Sequence, residues 1–186
     1  MKRERVGMIY VFLANGFEEI EALATVDVLR RGEFEVRTVG VGGKQVTGAH
    51  GITVEADILE KDVTTDPLEA VVLPGGMPGT LNLERSPIVQ AAVRYAAENR
   101  LLVAAICAAP SILGHMGLLQ GKQAICFPGF EDQLTGVVLS SQPVCVDGNI
   151  VTARGPGASI EFGLTLVAQL KGQKAAESIR MSMQCM

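Results

Sequence analysis

Leu101-Leu102-Val103-Ala104-Ala105-Ile106-Cys107-Ala108-Ala109-Pro110-Ser111-Ile112-Leu113 is the stretch whose reading decides the fold. Its first six residues form an uninterrupted apolar run of strand length. At Cys107 the composition switches to small residues and a proline, which suit the first turn of a helix. Several unrelated enzyme families hold a nucleophile on such a strand-to-helix turn, because the reversal pushes the side chain outward and aims helical amides at it.

The segments on either side repeat the strand–helix alternation. Residues 6–13 read as a buried strand, 14–16 as a turn, and 18–31 as a helix with apolar Ile20, Leu23, Ala24, Val28 and Leu29, stopped by Gly32. A second strand covers 34–41. Residues 45–55 read as two short strands broken by Gly48 and Gly51, a hairpin at the edge of the main sheet, and 56–67 as a polar loop. The short apolar run 70–73 is a central strand that feeds directly into Pro74-Gly75-Gly76-Met77-Pro78-Gly79. Residues 81–83 and then 87–98 read as helix, with Ser86 as N-cap and Pro87 at the first helical position.

Beyond the 101–106 strand, the pattern predicts a helix over 108–116, a strand over 122–127, and a hairpin at Asp147-Gly148-Asn149 between 144–146 and 150–153. Helices over 158–170 and 173–180 follow, and 181–186 read as a frayed tail. The alternation predicts one α/β domain over residues 1–186, with a mostly parallel sheet covered on both faces in a doubly wound arrangement. Ligands in such folds bind beyond the carboxyl ends of the strands.

Composition narrows the function classes. Lys and Arg total 16 against 20 Asp and Glu, with no basic cluster, so nucleic-acid binding is not expected. The longest apolar run, 101–109, is far below the ~20 residues of a membrane span. Met1-Lys2-Arg3-Glu4-Arg5 shows no signal-peptide cleavage pattern, and the expected location is the cytoplasm. Cys107, Cys126, Cys145 and Cys185 have no CxxC pairing and read as free thiols. The two histidines, His50 and His115, leave little for a metal site or a catalytic triad.

Five segments should meet on one rim: residues 16–21 after the first strand, 74–79, Cys107, Phe127-Pro128, and Arg154-Gly155-Pro156. They supply a nucleophile at Cys107, an acid among Glu18, Glu19 and Glu21, and backbone amides at Gly75, Gly76 and Ala108 for a developing oxyanion. A helix beginning at Ala108 should lower the thiol pKa, whereas an ionised carboxylate beside it should raise it. A useful glutamate must therefore be protonated. Glu21, one position from the apolar face of its helix, suits that role. The alternative for the three acids is a favourable interaction with the helix N-terminus, and a free cysteine after an apolar strand is also commonly a small buried hydrophobe.

The segments Asn15-Gly16-Phe17-Glu18-Glu19-Ile20-Glu21, Val71-Val72-Leu73-Pro74-Gly75-Gly76, Ala104-Ala105-Ile106-Cys107-Ala108-Ala109-Pro110 and Arg154-Gly155-Pro156-Gly157 resemble the ThiJ/PfpI superfamily, on the branch of the Parkinson-disease-linked protein deglycase and its bacterial relatives. The resemblance implies a flavodoxin-like three-layer α/β/α sandwich, a homodimer, and an oxidation-prone cysteine on a nucleophile elbow. It also implies cofactor-free conversion of methylglyoxal or glyoxal to hydroxy acids, removal of early glycation adducts, or oxidative-stress sensing with chaperone activity. By matching position Cys107 is the nucleophile, Glu21 the protonated carboxyl, and Gly75, Gly76 and Ala108 the oxyanion amides. Asn15, Phe127, Pro128, Arg154 and Pro156 line the pocket for a small aldehyde or dicarbonyl. No metal, glutathione or other cofactor is implied. Protease-like members carry His after the nucleophile, where this chain has Ala108, so peptidase and amidotransferase activities are not expected. Some glyoxalase-active members place a His near the thiol where this chain has Phe127.

Overall fold

The computed structural model describes residues 7–185. The expected strand start at Val6, the opening pentapeptide and Met186 lie outside the described residues. Strands β1 (Met8–Leu13), β2 (Glu35–Gly40), β5 (Ile58–Leu59), β6 (Leu68–Leu73), β7 (Leu102–Ile106), β10 (Val144–Asp147) and β11 (Ile150–Ala153) form the main sheet, in the order β10-β11-β7-β6-β1-β2-β5. All neighbours are parallel except the edge pair β10–β11. The order reverses at β1, which lies between β2 and β6. This switch point is where a doubly wound sheet opens a crevice.

Strand alternation sorts the core into two layers. Ile9, Val11 and Leu13 of β1 and Leu102, Ala104 and Ile106 of β7 face helices α1 (Glu19–Arg31), α5 (Ser159–Lys171) and α6 (Gln173–Ser182). Tyr10, Phe12, Val103 and Ala105 face the other way, onto α2 (Gly79–Arg85), α3 (Pro87–Glu98) and α4 (Pro110–His115). Large side chains such as Phe12, Leu29, Leu83 and Phe162 are fully buried, each contributing roughly 1.5–3 kcal/mol by leaving water. The period-two switch in burial on strands that are apolar on both faces is what makes this an α/β/α sandwich.

Several boundaries differ from the sequence expectation. The 45–55 hairpin, β3 (Gln45–Thr47) with β4 (Thr53–Glu55), does not extend the main sheet but forms its own two-stranded antiparallel sheet. It sits over the turn after β1, where the Gly16 amide donates to Thr47 O at 2.8 Å and the Ala49 amide to Phe17 O at 2.8 Å. The expected polar loop 56–67 contains edge strand β5. Its register is set by Asp57 Oδ2, which accepts from the Thr38 amide at 2.8 Å, from Thr38 Oγ1 at 2.9 Å and from Arg30 Nη2 at 2.7 Å.

The expected 122–127 strand shrinks to β8 (Gln123–Ala124), paired with β9 (Val138–Leu139) in a separate small sheet. Beyond it the Ile125 amide goes to Thr152 Oγ1 at 3.0 Å instead of to a strand ladder. Finally, the expected tail is partly helical. α6 runs through Ser182, and the Cys185 amide caps it by donating to Arg180 O at 3.1 Å.

Candidate active site

Cys107 leaves β7 with φ of +65°, a left-handed conformation that costs a non-glycine residue about 1–3 kcal/mol and persists only when its surroundings enforce it. They do so through the main chain: its amide donates to Ala153 O at 2.9 Å, and its carbonyl accepts from the Phe127 amide at 2.8 Å. The sulfur residue is only 8% exposed. The backbone N–H groups of Gly76 and Ala108 are directed at its thiol.

Glu21 lies in the first turn of α1 and is wholly buried. Glu18 brings it there as the helix N-cap, its Oε2 accepting from the Glu21 amide at 2.7 Å. The Gly75 amide donates to Glu21 Oε2 at 2.8 Å. Glu21 Oε1 is buried with no hydrogen-bond partner among the described residues, and the Cys107 thiol lies beside the carboxyl. Gly75 is required by contact: a Cβ there would lie 2.6 Å from Cys107 Cβ and 2.7 Å from Glu21 Oε2. Gly76 has φ of +90°, and a Cβ on it would meet the Glu18 amide nitrogen at 2.4 Å. Two adjacent glycines thus let β1, β6 and β7 converge on one sulfur.

Burial raises the Glu21 carboxyl to about 7, helped by the nearby Glu18 charge and opposed by its hydrogen bonds to Cys107 and Gly75. The thiol departs from the sequence expectation. Burial and then the Glu21 charge push Cys107 up to about 12, against the pull of the Gly76 and Ala108 amides. The reason is geometric: α4 begins at Pro110, three residues past the sulfur, and is only six residues long, so its terminus does not offset the desolvation. The pair therefore holds two protons below about pH 7 and shares one above it. Gly75, expected among the oxyanion donors, spends its N–H on Glu21 and orients the carboxyl; Gly76 and Ala108 are the amides that face sulfur.

Glu18 and Glu19 are buried too, and each holds the backbone. Glu19 Oε1 accepts from the His50 amide at 2.8 Å and Ile52 at 3.4 Å, while its Oε2 meets His50 Nδ1 at 2.9 Å. Burial alone would raise the Glu19 carboxyl, but these bonds hold it below the usual carboxylate range and raise the His50 imidazole. Glu18, Glu19 and His50 are the group of possible metal ligands among the described residues, with donor atoms within 4.8 Å of one another. Sequence reasoning missed this fastening, because the partner loop lies some thirty residues downstream of the helix. His115 bridges Glu84 Oε1 at 2.5 Å and Gln133 Oε1 at 2.8 Å, a surface link away from the thiol.

Two depressions flank Pro156. One, about 390 Å³, is lined by Phe127, Pro128, Pro143, Arg154, Pro156 and Ala158; the other, about 400 Å³, by Glu18, Glu19, Ile20, His50, Ile52 and Pro156. Phe127, Pro128, Arg154 and Pro156 thus meet as expected from the sequence. Asn15 does not join them: its Oδ1 accepts from the Thr47 amide at 2.9 Å and its carbonyl from Asn82 Nδ2 at 2.9 Å, tying the hairpin to α2. The remaining cysteines are free, with Cys126 and Cys145 buried and Cys185 half-buried.

A doubly wound sheet with a cysteine at a left-handed elbow, one buried carboxyl against it and no adjacent histidine defines a class of α/β sandwich proteins built around a single Cys–Glu pair. Residues 8–169 match the DJ-1/PfpI family model, and the chain belongs to that family. It is 39% identical over 175 residues to Protein DJ-1 homolog A of Arabidopsis thaliana, covering 92% of this chain but only 45% of that protein's length. It is 30% identical over 164 residues to the glutathione-independent glyoxalase DJR-1.2 of Caenorhabditis elegans, covering 87% of each. The structure superposes on oxidized Toxoplasma gondii DJ-1 with a TM-score of 0.92 at 35% identity, over 96% of this chain and 98% of the other. No helix among the described residues is long and apolar enough to cross a membrane.

Proposed function

We propose that this chain is a cysteine-dependent, cofactor-free enzyme of the glyoxalase/deglycase type, acting on methylglyoxal, glyoxal or the early adducts they form. The observation that carries the reading is Glu21, wholly buried against Cys107 with one oxygen fixed by the Gly75 amide. A pair sharing one proton can make a thiolate at the moment of attack without holding one at rest. Glu21 takes the thiol proton as sulfur bonds to the aldehyde carbon, and returns it to the oxygen of the resulting hemithioacetal. The Gly76 and Ala108 amides stabilise charge developing beside sulfur. Glu21 then moves a proton from the former aldehyde carbon to the adjacent ketone carbon while the hemithioacetal hydroxyl proton passes to the ketone oxygen, leaving a thioester of the 2-hydroxy acid. Water cleaves the sulfur–carbon bond and releases the 2-hydroxy acid with the thiol restored. One carbon is oxidised and its neighbour reduced, so no external redox partner is needed. The C. elegans relative named as a glutathione-independent glyoxalase supports this chemistry.

A second reading, oxidation of Cys107 as a redox signal linked to chaperone activity, is favoured by the oxidized form of the T. gondii relative. In either case we propose a homodimer, because Ile20 and Ile52, which line the second depression, are exposed at 57% and 54%, and Leu23 and Ile160 at 38% and 41%. The deciding experiment measures lactate formation from methylglyoxal by wild type, Cys107→Ala and Glu21→Ala, with mass spectrometry after mild peroxide. Turnover that vanishes in both variants supports the enzyme; wild-type turnover equal to Cys107→Ala, with selective oxidation at Cys107, favours the redox reading.

A further inference from the structure

We infer that Arg154 sets the substrate specificity of this site and selects 2-oxoaldehydes that carry a carboxylate at the end of a short carbon chain. The chemistry rests on the glyoxalase reading; the recognition rests on a pocket whose walls adjoin Cys107 through the main chain, Phe127 bonded to the Cys107 carbonyl and Arg154 following Ala153, which accepts from the Cys107 amide. That pocket, about 390 Å³, is larger than a three-carbon dicarbonyl needs. Its walls are Phe127, Pro128, Pro143, Pro156 and Ala158, and Arg154 is its single charged lining residue.

Arg154 is anchored but unneutralised. Its amide donates to Pro143 O at 2.9 Å and its Nη2 to Ser141 O at 3.1 Å, so the residue is tied to the opposite wall. Arg154 is exposed and, like Arg85, Arg94 and Arg100, forms no ion pair among the described residues, while Arg30, Arg31 and Arg180 sit on carboxylates. Most of its planar fork of N–H donors remains available, in the geometry that matches a carboxylate. Phe127 connects this pocket to the chemistry. Its amide is bonded to Cys107 O at 2.8 Å, and its ring lies against Gly155, where a Cβ would be 3.0 Å from Phe127 Cδ2. A ligand with an apolar middle can rest on that ring, with its aldehyde at sulfur and its anionic end at the guanidinium. For 4,5-dioxovalerate the reaction adds water and gives 2-hydroxyglutarate: the aldehyde carbon is oxidised, the ketone carbon is reduced, and Cys107 is regenerated.

The test compares kcat/KM for 4,5-dioxovalerate and methylglyoxal in wild type, Arg154→Gln and Arg154→Lys. Wild type should prefer the anionic substrate. Arg154→Gln should lower the ratio of the two kcat/KM values about tenfold, through KM for 4,5-dioxovalerate, as expected for losing one charge-assisted contact. Arg154→Lys should recover part of it. An unchanged ratio in Arg154→Gln overturns the inference. If wild type turns over neither compound, the glyoxalase reading fails by itself, and calorimetric titration of 2-hydroxyglutarate into Cys107→Ser decides the subsite. Binding that Arg154→Gln abolishes in that background supports it; no binding, or equal binding with and without Arg154, overturns it.

Discussion

The Gly75 amide donates to Glu21 Oε2 at 2.8 Å, and this one bond pins the carboxyl beside the thiol of Cys107. A strand-end glycine thereby orients an acid from a different helix, and the acid is held at a cost to the fold.

That cost is measurable. The folded-state pKa of Glu21 is raised from 4.5 to about 7 by burial. Below pH 4.5 both folded and unfolded chains hold the proton; as pH rises, the unfolded chain ionises first, and stability is lost between 4.5 and about 7. The loss is of order 3 kcal/mol once both are ionised. Glu21→Gln, which keeps the shape, should raise Tm at pH 8 and lose that advantage near pH 4. Identical Tm differences at the two pH values in thermal denaturation would contradict the assignment.

The same group sets the pH–rate profile. Only the pair holding one proton can deliver a thiolate to the substrate, so kcat/KM should rise with pH through an inflection near 7. Burial is the main cause of the raised value, and the Glu18 charge adds to it. Glu18→Gln, which retains a capping oxygen, should move the inflection to lower pH. Stopped-flow rates between pH 5.5 and 8.5 check both; a flat profile removes Glu21 from the reaction.

Gly75→Ala tests the close approach of the three strands. The added methyl would meet Cys107 Cβ at 2.6 Å and the Ile106 carbonyl oxygen at 2.9 Å, and backbone has little room to yield. Overpacking of this kind should destabilise by about 2 kcal/mol or more and abolish turnover. Denaturant titration showing wild-type stability would mean that the strands can part at no cost.

Glu19 predicts a local effect. Removing it in Glu19→Ala strands the His50 and Ile52 amides, while His50→Ala leaves their acceptor, Glu19 Oε1, in place. Hydrogen exchange at residues 50 and 52 should quicken strongly in the first variant and weakly in the second. Equal protection in both would show that the 48–52 loop is held by the hairpin itself.

The parts of this fold legible in the sequence are those with a local signature. β1, β6 and β7 announce themselves as apolar runs, α3 by Ser86, whose Oγ accepts from the Val89 amide at 3.3 Å, and Cys107 by its place at the end of β7. Glu21 is legible by its helical position, though its pKa is a property of the packed site. What could not be read depends on partners distant in the chain. β5 exists because Asp57 reaches Thr38 and Arg30; Glu19 looks like a helix-terminal charge until the loop at His50 folds over it; and Asn15 looks like a pocket residue until Thr47 and Asn82 claim its oxygens. α4 starts at Pro110 and not at Ala108, because the left-handed turn at Cys107 is imposed by β11 and the Phe127 segment, not by the small residues that follow it.

Cys107 is riveted through its main chain to Ala153 on one side and Phe127 on the other, while its sulfur faces Glu21 and the Gly76 and Ala108 amides. A new substituent on sulfur therefore cannot be absorbed by a shift at residue 107. The elbow works as an anvil: the main chain holds residue 107 still while the sulfur takes the reagent.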